Sequence, residues 1–256
     1  MRKRASVIIG IVIMLAGVIF GGYGLKRCIE EENAGEEYEK LREEVVIELP
    51  ETIVSAGAQK EVIIPIDFDT LQGKCPDVYA WIEIPGTNIN YPLVQESGDD
   101  DYYLSHTAER KPSIAGAIYT EEYNSKEFDD PNTVIYGHNM RNGSMFKHLH
   151  KYKDVEFFSK NSEIVIYQPE RILRYHVFAS YVYDDRHLIE NFNFQDVSVY
   201  DEYLKDVVRR AGRSGNLDTK RTVTMEDRII TLSTCTGNDS QRYLVQAVLL
   251  SIEEKK

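Results

Sequence analysis

Hydrophobic and polar positions divide the chain into three regimes. Residues 5–25 carry no charge at all, and about 20 apolar residues suffice to cross a bilayer as a helix. Over residues 30–44 acids alternate with Lys and Arg and apolar positions are few, the pattern of an exposed helix or stalk. Residues 45–64 read as a linker with strand character. From Ile66 onward short β-rich runs recur at 79–84, 89–94, 114–119, 133–136, 163–167, 174–183, 221–224, 228–235 and 242–252. So many short strands with turn residues between them predict a mainly β fold closed, or partly closed, into a barrel. Two helical patterns interrupt the strands. One is short, over 144–152; the other, over 196–211, places Val197, Tyr200, Tyr203, Leu204, Val207 and Val208 at helical spacing.

The basic cluster Arg2, Lys3 and Arg4 ahead of the uncharged run predicts that residues 1–4 stay in the cytoplasm and that the rest lies outside the cell. Lys26 and Arg27 also flank the run, so the orientation rests on the leading cluster and on the acidic stretch that follows. A cleaved signal peptide is the weaker reading, because the run is long and no Ala-x-Ala site ends it. Leu25, Lys26 and Arg27 place two charges where a lipid-modified Cys28 needs small residues. The expected division is therefore a tail at 1–4, a single membrane anchor at 5–25, a stalk with a helical segment at 26–64 and one domain at 65–256, an ordinary domain size.

Charge narrows the partners. Beyond residue 27 the chain holds 42 acidic against 25 basic side chains, or −17. An exterior domain that acidic repels nucleic acid and bare anionic membrane surfaces. Three cysteines, one of them next to the anchor, do not make a disulfide framework. Cys75 beside Pro76 reads as a structural or semi-exposed thiol. Asp99, Asp100 and Asp101 offer the oxygens a hard cation takes, but three consecutive carboxylates lack the spacing of a loop site; no metal and no cofactor are expected.

The chemistry lies in Ile229-Ile230-Thr231-Leu232-Ser233-Thr234-Cys235 and in Arg242-Tyr243-Leu244-Val245-Gln246-Ala247. The segment between them, Thr236-Gly237-Asn238-Asp239-Ser240-Gln241, is rich in turn formers, so the two read as a hairpin. Pairing Cys235 with Arg242 sets Thr234 against Tyr243, Leu232 against Val245 and Ile230 against Ala247, putting these six on one face, toward the core. Cys235 and Arg242 fall on the other face. A slip by one residue buries the arginine, at high cost. A cysteine in a strand is more often a small buried hydrophobe; this one sits at a strand end with a permanent cation beside it, and a neighbouring positive charge favours the thiolate, the nucleophilic form.

A cysteine nucleophile needs an acid/base partner. His138 follows the β-branched run Asn132-Thr133-Val134-Ile135-Tyr136 and Gly137, and precedes Asn139-Met140, so a strand delivers its imidazole to a loop. His106, His148, His150, His176 and His187 read as surface or packing residues.

These motifs resemble a sortase, and more narrowly a class B sortase: Thr231-Leu232-Ser233-Thr234-Cys235 for the nucleophile, Gly137-His138-Asn139-Met140 for the histidine, Arg242 just beyond, and Trp81-Ile82-Glu83-Ile84-Pro85-Gly86-Thr87-Asn88-Ile89-Asn90-Tyr91-Pro92 for an early strand pair. The likeness spans roughly residues 65–252 and is far more specific than a lone Cys/His pair. It implies a closed barrel of about eight strands with an amino-terminal helical extension and a long helix inserted late. It implies a membrane-anchored cysteine transpeptidase in which Cys235 attacks the sorting signal of a surface protein, His138 moves protons and Arg242 steadies the oxyanion or the peptide backbone. The partners implied are signals of Asn-Pro-x-Thr-Asn or x-Pro-x-Thr-Gly type and an amine of a peptidoglycan precursor or cross-bridge. Asn139 and Thr234 are weaker candidates for groove residues, and Ser233, on the cysteine face, is expected at the surface, touching substrate or only solvent. Asp239 orients a neighbour or, more simply, shapes the turn. Substrate choice is expected to lie in the segment around residues 183–201. A cysteine peptidase that releases product to water, and an anchored scaffold with an inert thiol, are the competing readings.

Overall fold

A computed structural model describes residues 2–48 and 62–255, with side chains from residue 21 onward apart from Tyr23. The expected runs become strands β1 (Val78–Glu83), β2 (Asn90–Val94), β3 (Ile118–Tyr119), β4 (Asn132–Tyr136), β5 (Glu163–Gln168), β6 (Arg171–Asp184), β7 (Asn216–Leu217), β8 (Ile229–Cys235) and β9 (Gln241–Glu254). Their order is β5-β1-β2-β3-β4-β8-β9-β6-β7, and β5 also pairs with β6. That extra pairing closes eight strands into a barrel and leaves β7 as an appendage on β6. Most neighbours are antiparallel; β2–β3 and β4–β8 are parallel.

Alternation is obeyed on β8 and β9, but both faces are covered. Ile230, Leu232, Tyr243, Val245 and Ala247 join the barrel interior, while Ile229, Leu244 and Val248 pack in a second cluster with helix α5 (Val197–Ser214). β8 is therefore buried at every position from Ile229 to Thr234 and emerges only at Cys235. Helix α5 buries Tyr200, Tyr203, Leu204, Val207 and Ala211, each large side chain contributing roughly 1.5–3 kcal/mol relative to exposure. Val197 and Val208, expected on that stripe, lie off it at 60% and 47% exposure.

Two expected strands differ. The run over 114–119 keeps only Ile118–Tyr119, because Gly116 takes φ +58° and breaks the extended chain just before them. The run over 221–224 is irregular: Thr224 folds back, its amide and hydroxyl meeting the Asp227 carboxylate at 2.8 and 3.1 Å. The short β7, not expected from the sequence, pairs with β6 at Ala179 and Ser180, next to a bulge in β6. The short helical pattern is a 3-10 helix, Phe146–Lys153, packed through Phe146, Leu149 and Tyr152.

The stalk reading of residues 30–44 is corrected. This segment belongs to helix α1 (Arg2–Val45), and Ala34, Tyr38, Leu41 and Val45 are buried against the barrel. The Tyr38 hydroxyl donates to Gly116 O at 2.8 Å and accepts from Ala108 N at 3.1 Å; burial raises its pKa well above the usual phenol range. The end of the helix is tied down by a bridge between Val46 and Ile66 and by Asp67 N donating to Val45 O. Residues 49–61 of the expected linker lie outside the described residues. The side chains of most of the expected anchor, residues 5–20, do so as well, and among the described residues no helix is long and apolar enough to cross a membrane.

Asp196 caps α5, its carboxylate accepting from Ser198 N, Ser198 Oγ and Val199 N, and these bonds hold its pKa below the ordinary aspartate value of 3.8. A depressed carboxyl pKa adds stability above the unfolded value that is lost as pH falls through the folded one. Asp196→Ala is expected to melt at a lower temperature than the wild type at neutral pH, with the gap closing as pH is taken below 3.8; circular dichroism melts of both proteins across that range check it.

Candidate active site

Strand register brings the three expected site residues to one edge. In the parallel β4–β8 pair Tyr136 lies opposite Ser233. The ladder runs on past the end of β4, since Gly137 N donates to Ser233 O at 3.2 Å and Thr234 Oγ1 to Gly137 O at 2.7 Å. Two residues further on, His138 comes beside Cys235. Across the hairpin Cys235 pairs with Arg242, and Arg242 in turn pairs with Tyr183 on β6. Neighbouring strands are about 4.8 Å apart and side chains change face at every residue, so Cys235 and Arg242 share a rung and a face, and the register continued two residues past the last β4–β8 pair directs His138 to the same edge. That face is the outer one, just past the part of β8 that α5 covers.

Each side chain has a defined setting. His138 is half-buried, and its Nε2–H donates to Leu104 O at 2.7 Å. This bond fixes the tautomer and leaves Nδ1 to the site. Glycine is needed on two sides of this imidazole. A Cβ on Gly137 would lie 2.5 Å from Ile118 Cδ1 and 2.7 Å from the Phe146 ring; one on Gly116 would lie 2.5 Å from Tyr103 O and 3.1 Å from His138 Cδ2. The Arg242 guanidinium uses Nη1 to donate to Asp239 O and Gln241 O at 3.0 and 3.1 Å. It makes no ion pair among the described residues, so no carboxylate there takes up its remaining donors. Cys235 is exposed, whereas Cys75 is fully buried and its thiol is pushed up to about 12 by that burial.

The weaker candidates behave differently from what their positions suggested. Ser233 is only 6% exposed and lies inward of the rung rather than at the surface. Thr234 is buried and ties Gly137 to β8. Asp239 holds Arg242 through its main-chain carbonyl and leaves its carboxylate exposed in the turn, the turn-shaping role. Asn139 is half-buried, and its Nδ2 donates to Cys235 O at 2.8 Å. His150, read as a packing residue, donates to the same oxygen through Nε2 at 3.0 Å. Only its place one turn after Phe146 hinted at inward facing, and nothing in the sequence linked it to Cys235. The segment expected to govern substrate choice is latched to the site wall: His187 Nε2 meets the buried Glu121 carboxylate at 2.6 Å, and its ring stacks 6.0 Å from Tyr136. Burial raises the Glu121 pKa while His187 opposes the rise. The carboxylates at 99–101 serve local turns, Asp99 accepting from Asp101 N and Asp100 from Glu122 N, and among the described residues no group of three potential ligands could hold a metal ion.

An exposed thiol paired across a hairpin with an arginine, with a histidine just beyond the end of the neighbouring parallel strand, at the rim of a closed barrel with a helix inserted before its last two strands, is the arrangement of a barrel-borne cysteine enzyme. Comparison with known proteins places it further. The sortase domain matches residues 82–250. Sortase B of Listeria monocytogenes is 37% identical over 190 residues, covering 71% of this chain and 73% of that protein, and sortase B of Staphylococcus aureus is 26% identical over 253 residues, covering 98% of each. Among solved structures, Clostridium perfringens sortase B is 31% identical with a TM-score of 0.64, covering 72% of this chain and all of the other. Bacillus anthracis sortase B in complex with AAEK1 is 26% identical with a TM-score of 0.70, covering 87% and 99%. The chain belongs to the sortase family, class B.

Gly137→Ala is expected to force the His138 turn off this edge, with an overpacking cost of about 1–3 kcal/mol. A lower melting temperature together with at least a tenfold loss of peptide transfer is the expected outcome; a variant with wild-type activity would show that His138 does not depend on this close approach.

Proposed function

We propose that this sortase cleaves the carboxy-terminal sorting signal of surface proteins with Cys235, His138 and Arg242, and joins the new carboxyl end to an amine of peptidoglycan. The observation that supports the reading is the register, which pairs Cys235 with Arg242 and ends β4 beside the end of β8 just before His138, with only Cys235 of β8 open to solvent. With its proton passed to Nδ1 of His138, the Cys235 sulfur attacks as the thiolate on the scissile carbonyl carbon, giving a tetrahedral oxyanion. Arg242, whose fixed charge no carboxylate neutralises, stabilises that oxyanion or grips the peptide backbone next to it. His138 donates a proton from Nδ1 to the departing amine, and the intermediate collapses to a thioacyl enzyme. The acceptor amine then attacks, His138 takes its proton, and the new amide leaves as the sulfur is released.

The signal is of Asn-Pro-x-Thr-Asn or x-Pro-x-Thr-Gly type, as the class B resemblance implies. The segment that carries His187 and α4 (Leu188–Asn191) selects among such signals, because it abuts Tyr136 on the rung next to the nucleophile. The uncharged run over residues 5–25, led by Arg2, Lys3 and Arg4, supports a single membrane anchor with the amino terminus inside the cell and the barrel outside.

A library of signal peptides incubated with the protein and an oligoglycine or diaminopimelate-type amine, read by mass spectrometry, tests this. Ligated product is expected from the wild type and none from Cys235→Ala. His138→Ala is expected to be slower by roughly 10²–10⁴ and Arg242→Ala by roughly 10²–10³, chiefly in kcat. Free acid as the main product in excess amine would make the protein a hydrolase instead, and an unreactive Cys235 would leave an anchored scaffold.

A further inference from the structure

The main-chain carbonyl of Cys235 is held in an unusual way. Along β8, Ser233 O accepts from Gly137 N. Carbonyls two residues apart on a strand point to the same side, so Cys235 O also faces the end of β4, where the next rung would come from the amide of Asn139. The strand has already turned away, and Asn139 is instead bridged to Met145. The place of the missing amide is filled by two side chains, Asn139 Nδ2 at 2.8 Å and His150 Nε2 at 3.0 Å.

Resting on the reading of Cys235 as the nucleophile, we infer that Asn139 and His150 form a clamp on the Cys235 carbonyl that sets the direction of its sulfur, which makes His150 a positioning residue for the reaction. A strand end with an unpaired carbonyl frays, and the Cα–Cβ direction of its last residue turns with the backbone. Two donors from different elements remove that freedom. Asn139 follows His138 directly, so the clamp fixes nucleophile and proton carrier relative to each other. His150 stands on a 3-10 helix anchored by the fully buried Phe146, Leu149 and Tyr152, with its ring 5.1 Å from that of Tyr243 on β9.

The clamp also defines the protonation state of His150. A carbonyl accepts, so Nε2 carries hydrogen. Nδ1 is buried and has no partner. A proton added there would have no acceptor and would face Lys147 and Lys153 of its own helix; Tyr243 is the titratable group opposite on β9, Cys235 that on β8, and no carboxylate lies within ion-pair distance among the described residues. Burial first and Lys153 second lower its pKa from the usual imidazole value, in the direction that favours the neutral donor. Asn139 Oδ1 is likewise buried without a partner, which leaves the Cys235 carbonyl as the one hydrogen-bond partner given to either functional group.

His150→Phe keeps a ring against Tyr243 but removes the donor, and His150→Gln restores an amide donor at a similar reach. For the full-length protein in detergent, kcat and KM for peptide transfer and the rate of Cys235 alkylation by iodoacetamide are measured beside the melting temperature. His150→Phe is expected to lower kcat and the alkylation rate about fivefold, the scale of one hydrogen bond, with KM within about twofold and His150→Gln recovering most of the loss. Combining His150→Phe with Asn139→Leu is expected to cost more than the product of the single losses, because either donor alone still holds the oxygen. Wild-type kcat and alkylation in a folded His150→Phe, a His150→Gln no better than the phenylalanine, or a loss confined to KM would each overturn the clamp. Should the wild type alkylate rapidly yet transfer no peptide, the functional reading fails while the alkylation comparison still decides the clamp.

Discussion

The parallel pairing of β4 with β8 is the constraint on which the site depends. Parallel neighbours end at the same side of a sheet, so the residue that follows β4 and the residue that closes β8 are delivered to one rim. An antiparallel pair of the same five rungs would carry His138 to the opposite rim, roughly 16 Å away at about 3.3 Å per residue. The register is pinned on the face beneath α5 by Thr231 Oγ1, which donates to Asn132 Oδ1 at 2.8 Å between the two strands, both residues being buried. A slip by one residue would break that bond and turn Cys235 into the barrel. Arg242 then needs only the six-residue hairpin to reach the same rung.

Burial on both faces sharpens this placement. The barrel interior and α5 enclose β8 up to Thr234, and the exposed thiol begins where the cover ends. Helix α1 works on the histidine side. Its Tyr38 hydroxyl holds Gly116 O, and Gly116 lies against the His138 ring while the neighbouring Leu104 O accepts the hydrogen bond from Nε2–H. The amino-terminal extension thus braces the turn that orients the imidazole, a role that an exposed stalk could not have.

What could be read from the sequence follows from how far apart the deciding residues lie. The hairpin register was legible rung by rung, because alternation and a turn-rich loop act within twenty residues, and the structure pairs Cys235 with Arg242, Thr234 with Tyr243, Leu232 with Val245 and Ile230 with Ala247 as expected. Helix α5 was legible because its stripe is wide. The docking of α1 was not, although Ala34, Tyr38, Leu41 and Val45 recur at spacings of three and four; a stripe one residue wide, set among charges, looks the same whether solvent or a barrel lies beside it. Ser233 was placed at the surface because nothing local reveals that α5 folds back over the outer face of β8. His150 was passed over for a related reason: its partner is a main-chain carbonyl 85 positions away, and a backbone atom leaves no trace in residue identity.

Anchoring of the imidazole also bears on how one site can serve two amines. With Nε2 committed to Leu104 O, the ring cannot flip without breaking a hydrogen bond, so a single nitrogen faces the thiol. In the proposed mechanism that nitrogen gives a proton to the amine that leaves the sorting signal and takes one from the amine that enters. The two half-reactions are then the same step run in opposite directions past the same atom, and whatever geometry expels the first amine also admits the second. In that mechanism one fixed proton carrier beside the sulfur serves both half-reactions, and no second acid or base is needed for either.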